Sequence, residues 1–213
     1  MRVPTNPRRI RRKSSRTYHH GDLKAALVAA AGAILRKEGP SALTLRAVAA
    51  VTGVTATATY RHFADRRGLI AAVAEEGFRA LQGAMLAGSR AAPGRLGLKA
   101  VAESYVRFAH QHAAEYRVMF GPELADASDL PSLRKTAREV LEFVSQGIAQ
   151  LQSAGQLRDG DPMRMAAVTW ASLHGLVMLS LDAQTHGVAG SLDELVEEMT
   201  QVVMFGMAPR PSR

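Results

Sequence analysis

The sequence contains no cysteine among its 213 residues. This absence excludes a disulfide framework, a thiolate nucleophile and a metal site with cysteine ligands. Long hydrophobic segments are missing as well. The uncharged runs at residues 25–35 and 165–181 are too short, or too interrupted by polar residues, to predict a membrane span. No apolar segment follows the cationic N-terminus, so we expect no signal peptide, no membrane contact and a cytoplasmic protein.

Acidic residues are scarce in the first third of the chain, and the formal net charge is +8. Residues 1–20 hold seven Lys/Arg and no acid, residues 21–70 hold seven against three, and the remainder holds thirteen against sixteen. A basic N-terminal third is expected where one end of a protein meets a polyanion. Residues 1–17 have too little apolar content to fold alone, and we interpret them as a flexible basic arm. A passive, solvated tail is the alternative.

Apolar residues recur at helical spacing along most of the chain, and no segment shows strand alternation or an internal repeat. We therefore predict an all-α protein of about nine helices. After the arm, a three-helix unit is expected at residues 18–70, with a connecting helix that continues to about residue 87. A second helical domain is expected at residues 88–213. The breaker-rich sequence AGSRAAPG marks the boundary between the two.

Residues 44–63, TLRAVAAVTGVTATATYRHF, have the layout of a helix-turn-helix. Thr44 is a favourable N-cap for the first short helix, Ala49 lets the helices approach, and Gly53 can take the left-handed conformation of a tight turn. The second helix, predicted from about residue 55 to 63, carries short or planar polar groups: Thr55, Thr57, Thr59, Tyr60 and His62. Such groups can reach phosphates and base edges in a major groove, so the pattern predicts a DNA-reading head.

Three segments extend this pattern: YHHGDLKAAL at residues 18–27, the pair Thr44 and Arg46, and YRHFADRRGL at residues 60–69. Together they resemble the N-terminal DNA-binding domain of TetR/AcrR-family transcriptional regulators. WASLHGL at residues 170–176 and YRVMFGPEL at residues 116–124 resemble one subgroup, which has a Trp…His-Gly motif in its C-terminal domain. The resemblance implies a homodimer that presents two heads to successive major grooves of an operator.

The resemblance also implies roles for individual residues of the head. Phosphate contacts are implied for Thr44, Arg46, Tyr60, His62 and Arg66. Base contacts are implied for Thr55, Ala56 and Thr57, whose methyl groups and hydroxyls can read base edges. Several alternatives stay open: Tyr60 and Phe63 can pack the helices together. His62 can be an ordinary exposed histidine, and Arg46 and Arg66 can be solvated surface charges.

The second domain is expected to dimerise and to bind an effector. Its last two helices, predicted at about 161–183 and 191–206, carry more apolar residues than one face needs. This excess favours a homodimer interface over burial within one subunit. A small hydrophobic effector would occupy a cavity lined by Tyr105, Phe108, Met119, Phe120, Phe143, Trp170, His174 and Met178. His174 is alternatively interpreted as a hydrogen-bonded core residue.

These observations predict a sequence-specific transcriptional regulator that binds double-stranded operator DNA. In the family it resembles, the usual behaviour is repression, with a small effector releasing the protein from its operator. The basic arm would add minor-groove or phosphate contacts beside the operator. The first alternative is a sequence-neutral architectural protein, whose affinity would depend steeply on salt. The second is a helical enzyme, but no catalytic motif supports it and His110 and His112 point to different helix faces, so no cofactor or metal is expected.

Overall fold

The computed structural model describes residues 20–92, 94–183 and 191–209, with side chains described from residue 23 onwards. Within these ranges the chain forms nine α-helices and no strand, which confirms the all-α prediction. The N-terminal helices are α1 (His20–Glu38), α2 (Leu45–Thr52), α3 (Ala56–Tyr60) and α4 (Arg66–Ala91). The remaining helices are α5 (Gly94–Gln111), α6 (Ala113–Met119), α7 (Pro131–Ser153), α8 (Pro162–Leu181) and α9 (Leu192–Gly206).

Two short 3₁₀ turns, Pro40–Ala42 and Pro122–Leu124, complete the connections before α2 and before α7. The predicted basic arm at residues 1–17, with its expected DNA contacts, lies outside the described residues. None of the helices in the described ranges is long and apolar enough to cross a membrane.

Side-chain caps determine where the short helices of the head begin. Thr44, Thr55 and Asp65 lie in extended backbone, and each accepts a hydrogen bond from the amide three residues on. These bonds satisfy amides that have no partner inside the helix. Gly53 ends α2 with φ at 70°, a left-handed conformation that a side chain would strain. The predicted cap at Thr44 and the predicted turn at Gly53 are both confirmed.

Two helices differ in length from their predictions. α3 has only five residues, because the chain turns after Tyr60 to bury Phe63 and to place Asp65 as the cap of α4. α4 continues past its predicted end near residue 87 to Ala91. Gly88 does not end it, because this glycine lies where α5 packs closely: a Cβ there would come within 2.7 Å of the Ala100 carbonyl oxygen.

A buried apolar core runs through both halves of the molecule. α4 is the shared element, since it packs against α1 of the head and against α5, α6 and α7 of the C-terminal half. The edge of the Phe120 ring meets Phe78 of α4 with ring centroids 5.3 Å apart. A smaller cluster around Ile148, Met165 and Met207 joins the ends of α7 and α9 to the start of α8. α4 therefore connects the head mechanically to the C-terminal half.

Candidate nucleic-acid interface and ligand cavity

Two exposed threonine hydroxyls stand at the starts of α2 and α3. The Thr44 oxygen accepts a hydrogen bond from the Ala47 amide at 3.1 Å, and the Thr55 oxygen accepts one from the Ala58 amide at 3.2 Å. Each hydroxyl keeps its hydrogen to donate, and a phosphate oxygen only accepts. Capping and DNA contact are therefore compatible at both positions.

The head offers further accessible side chains around these caps. Arg46, Thr57 and Tyr60 are exposed, and Ala56 and His62 are half-buried. The Tyr60 side chain is free to reach DNA, since the residue is 50% exposed. Phe63 is 4% exposed, which confirms that it packs the head together. The DNA contacts of these accessible residues remain predictions.

Thr59 does not lie on this accessible surface, and its predicted DNA contact is wrong. The residue is 0% exposed, and its hydroxyl has no hydrogen-bond partner among the described residues. At about 100° per residue, Thr59 lies about 200° around the helix from the exposed Thr57. Its side chain therefore points into the core, where the hydroxyl is buried without a hydrogen-bond partner among the described residues.

Arg66 is also placed differently from its prediction. Its Nε donates to the Leu43 carbonyl oxygen at 2.8 Å, and its Nη2 donates to the Pro40 carbonyl oxygen at 2.7 Å. The remaining Nη1 pairs with the Glu123 carboxylate. A guanidinium held on three sides by protein acceptors ties the start of α4 to the loop before α2. In this structure the side chain makes internal contacts, and its phosphate contact stays a prediction.

Arg67 forms a second link from α4 to the segment between α6 and α7. Its Nη1 pairs with Asp129 at 2.5 Å, its Nε donates to the Glu123 carbonyl oxygen at 3.2 Å, and its Nη2 donates to the Asp126 carbonyl oxygen. The hydrogen bond to Arg67 holds the pKa of the Asp129 carboxyl below its usual value. Two adjacent arginines thus join the first turn of α4 to residues 123–129.

Sequence reasoning passed over Arg61, which is exposed and caps the C-terminal end of α3. Its guanidinium belongs to none of the ion pairs found among the described residues. Its position directly after Tyr60, at the end of the predicted recognition helix, is the feature of the sequence that points to it. Arg61 joins Arg46 as a cation of the head that is free to contact a phosphate.

Comparison with known proteins agrees with this architecture. A sequence profile for bacterial regulatory proteins of the tetR family matches residues 27–73. A second profile, for tetracyclin repressor-like C-terminal domains, matches residues 98–203. The chain belongs to the TetR family. The resemblance inferred from the N-terminal motifs is confirmed, and the protein is a transcriptional regulator with a helix-turn-helix DNA-binding domain.

Solved structures share this TetR-family fold over most of the chain. A protein of unknown function from Rhodococcus sp. RHA1 is 31% identical, with a TM-score of 0.79, and covers 91% of this chain and 100% of its own. A TetR/AcrR-family regulator from Thermobifida fusca is 22% identical, with a TM-score of 0.62, over 87% of this chain and 98% of its own.

The ketosteroid transcriptional regulator of Mycobacterium tuberculosis is 15% identical, with a TM-score of 0.58, over 88% of this chain and 96% of its own. At this level of identity the likeness concerns the fold alone. No curated protein matches the chain.

A cavity of about 420 Å³ lies between α4, α5, α7, α8 and α9 of this TetR-family fold, within the range of small-molecule sites. Its lining is mostly apolar, and four predicted effector-site residues belong to it: Tyr105, Met119, Phe120 and Trp170. The segment after α6 adds Leu124 and Ala127 to the wall. Half of the eight predicted residues therefore line the cavity, but the prediction named none of the lining residues of α4 and α9.

The other four predicted residues, Phe108, Phe143, His174 and Met178, do not line this cavity. Phe108 packs against His112 with ring centroids 4.6 Å apart and faces a separate cleft beside α1. Phe143 and Met178 pack against the core cluster from partly buried positions. Their assignment to the cavity is corrected, because helical periodicity shows which residues face inward but not which neighbour they face.

A hydrogen-bond chain centred on the buried residues Tyr105 and Tyr116 supports the cavity wall at Tyr105 and Trp170. Trp170 donates to the Tyr105 hydroxyl at 3.1 Å, the Tyr105 and Tyr116 hydroxyls lie 2.7 Å apart, and Tyr116 lies 2.7 Å from His174 Nδ1. Burial raises the pKa of Tyr105 to about 12 and lowers that of His174. A neutral imidazole can accept from Tyr116, which confirms His174 as a hydrogen-bonded residue.

Proposed function

We propose that the protein is a repressor that a small hydrophobic effector releases from its operator. One observation carries this proposal: the segment that follows α6 belongs both to the cavity wall and to the start of α4. Leu124 and Ala127 line the cavity, while Glu123 and Asp129 of the same segment pair with Arg66 and Arg67. A ligand that displaces this wall pulls on the helix that directly follows the DNA-reading head.

An effector shifts the protein only if it binds the released conformation more tightly than the DNA-bound one. The two conformations would differ in the angle between α4 and the C-terminal half, and hence in the spacing of two heads. Heads of a dimer must lie about 34–36 Å apart to enter successive major grooves. Small changes at α4 are therefore sufficient to misalign one head with its half-site.

The proposed dimer forms through α8 and α9. Large apolar side chains are exposed on both helices: Val168 and Leu179 on α8, and Val202 and Phe205 on α9. Phe205 is 84% exposed, which is unfavourable for an apolar ring in water and is relieved by a second copy. Gly175 of α8 has no neighbouring atom within 4 Å of where a Cβ would lie, so a partner helix can approach closely there.

The DNA part of the proposal is tested by salt-controlled fluorescence anisotropy. The purified protein is titrated against the DNA that precedes its own gene, with unrelated DNA of equal length as reference. If the upstream DNA contains the operator, a specific regulator should bind it more tightly than the unrelated DNA at about 0.15 M salt, typically by 10³-fold or more. Equal and strongly salt-sensitive binding to both, confirmed with a random DNA library, would support the sequence-neutral architectural alternative.

The effector part is tested by adding neutral apolar compounds to the operator complex, a steroid among them because one structural relative is named a ketosteroid regulator. Release of DNA by a compound that changes Trp170 fluorescence supports the proposal. Arg67→Gln should then keep operator affinity and reduce the release. Arg79→Gln is the matched control, because Arg79 lies on α4 and, among the residues that the structure describes, pairs only with Glu75 and Glu76 of its own helix.

We infer that the protein acts by binding alone, without catalysis, and in the cytoplasm where operator DNA is found. After a compound has released the operator, it is recovered and analysed by chromatography. An unchanged compound supports this inference. Conversion of the compound would favour the helical-enzyme alternative.

A further inference from the structure

The lining of the effector cavity extends along most of α7, from Leu133 to Ile148. At about 1.5 Å per residue, this stretch of helix spans about 22 Å. A cavity of about 420 Å³ that extends over such a length accommodates a chain-like ligand. The shape therefore favours an elongated ligand.

The two ends of the cavity differ in polarity. Arg134 and Arg138, both exposed, belong to the lining near the start of α7. Ile148, Met204 and Met207 form the opposite end, where they pack in the smaller apolar cluster. A ligand with a charged head and an apolar tail matches this arrangement in one orientation only.

The positive charge at the polar end is only partly compensated by ion pairs within the described part of the protein. Arg138 pairs with Glu142 at 2.7 Å, whereas Arg134 belongs to none of the ion pairs found in the described ranges. No acidic residue belongs to the cavity lining given by the described residues. The carboxylate of Asp126 lies near Arg134 but outside the lining, as Glu142 does at Arg138. An anionic head at this mouth would meet two guanidinium groups and no carboxylate of the lining itself, which is favourable for a carboxylate or phosphate.

We propose that the effector is an amphipathic anion with a long apolar chain, with its head at Arg134 and Arg138 and its tail toward Met204 and Met207. This inference rests on the proposed function of the cavity as the effector site. Long-chain carboxylates are the simplest members of this class. The tail is held by burial of its methylene groups, and the head is held at the solvent-exposed mouth, where an anion keeps part of its hydration.

The test uses the full-length protein and its own fluorescence, since Trp170 is the one tryptophan of the sequence and lines the cavity. Octanoate, dodecanoate and hexadecanoate are titrated below their aggregation concentrations, together with the primary alcohols of equal length. Affinity should rise by about fourfold per added methylene until the apolar end is filled. The carboxylates should bind about tenfold more tightly than the alcohols.

Two sets of variants separate head recognition from tail recognition. Arg134→Ala combined with Arg138→Ala should remove the tenfold preference, so that carboxylates and alcohols of equal length bind with about equal affinity. Lys135→Ala is the matched control, because Lys135 lies on the same turn of α7, is exposed and does not line the cavity. Leu98→Phe should narrow the apolar end and weaken hexadecanoate binding without weakening octanoate binding.

The possible failures are distinguishable. If compact neutral compounds release operator DNA but affinity does not increase with chain length, the inference about the ligand is overturned while the proposed function stands. Equal binding of carboxylates and alcohols overturns the assignment of the arginine pair. If no compound that binds at Trp170 changes operator affinity, the proposed function itself fails.

Discussion

Thr59→Val tests the internal structure of the DNA-reading head most directly. Thr59 is fully buried in α3 and its hydroxyl has no hydrogen-bond partner in the described part of the chain. Valine has nearly the same shape and the same branching at Cβ, so it fits the site and keeps the preferred side-chain conformation. The substitution replaces only the stranded hydroxyl with a methyl group.

The expected gain follows from burial. Burying a polar group without a hydrogen-bond partner costs about 1–3 kcal/mol. The packing of the threonine methyl group offsets only part of this cost. Replacing that group with a buried methyl should raise the free energy of unfolding by about 1–2 kcal/mol. For a chain of this length, the midpoint of thermal unfolding should rise by about 3–6 °C.

Differential scanning calorimetry measures the stability change, and anisotropy with operator DNA measures the functional change. DNA affinity should stay within about twofold of the parent protein, because a side chain with no exposed surface makes no contact with DNA. Thr57→Val is the matched control: it lies on the same helix, is exposed, and should give no such stabilisation. A lower unfolding midpoint for Thr59→Val, or a selective loss of operator binding, would refute the placement of Thr59 in the core.

Three further substitutions address the head, the buried chain and the dimer. Arg46→Ala should remove one phosphate contact per subunit, so the slope of log K against log salt should become less steep by about two in a dimer; an unchanged slope would make Arg46 a solvated charge. Burial lowers the pKa of His174, so the unfolded chain binds its proton more readily and the free energy of unfolding should decrease as the pH falls below about 6.5. His174→Asn should remove that part of the pH dependence in parallel denaturant titrations, and identical profiles would contradict the argument. Phe205→Asp should dissociate the proposed dimer in light-scattering measurements, whereas Val51→Asp, equally a change of an exposed apolar residue, should not; a dimeric Phe205→Asp protein would place the interface elsewhere.

Features that depend on neighbours in the sequence could be predicted without the structure. The Thr44 cap and the left-handed Gly53 form as expected. Pro162 in the first turn of α8 and the capping box of Ser191 and Glu194 at the start of α9 are features of the same local kind. Each of these features involves atoms only a few residues apart, so their geometry is determined by local backbone preference and short-range hydrogen bonds.

Helical periodicity determined the number of helices and their apolar faces, and the motifs at residues 18–27 and 60–69 identified the TetR family. Periodicity reports burial but not the identity of the neighbour. Phe108 and Phe120 are both apolar residues of the C-terminal half, yet of these two only Phe120 lines the cavity. The difference arises from how α5 and α6 are rotated against α4, which is a property of packing.

The tertiary structure alone decided the roles of Thr59 and Arg66. Thr59 is polar and lies in a reading helix, but the short α3 turns it toward the core. Arg66 is separated from its partner Glu123 by 57 residues, and a pair so distant in the sequence cannot be predicted from a local pattern. Long-range ion pairs and the shape of a cavity depend on which helices meet, so the sequence determined the family and the elements, while packing decided how the cavity connects to the DNA-reading head.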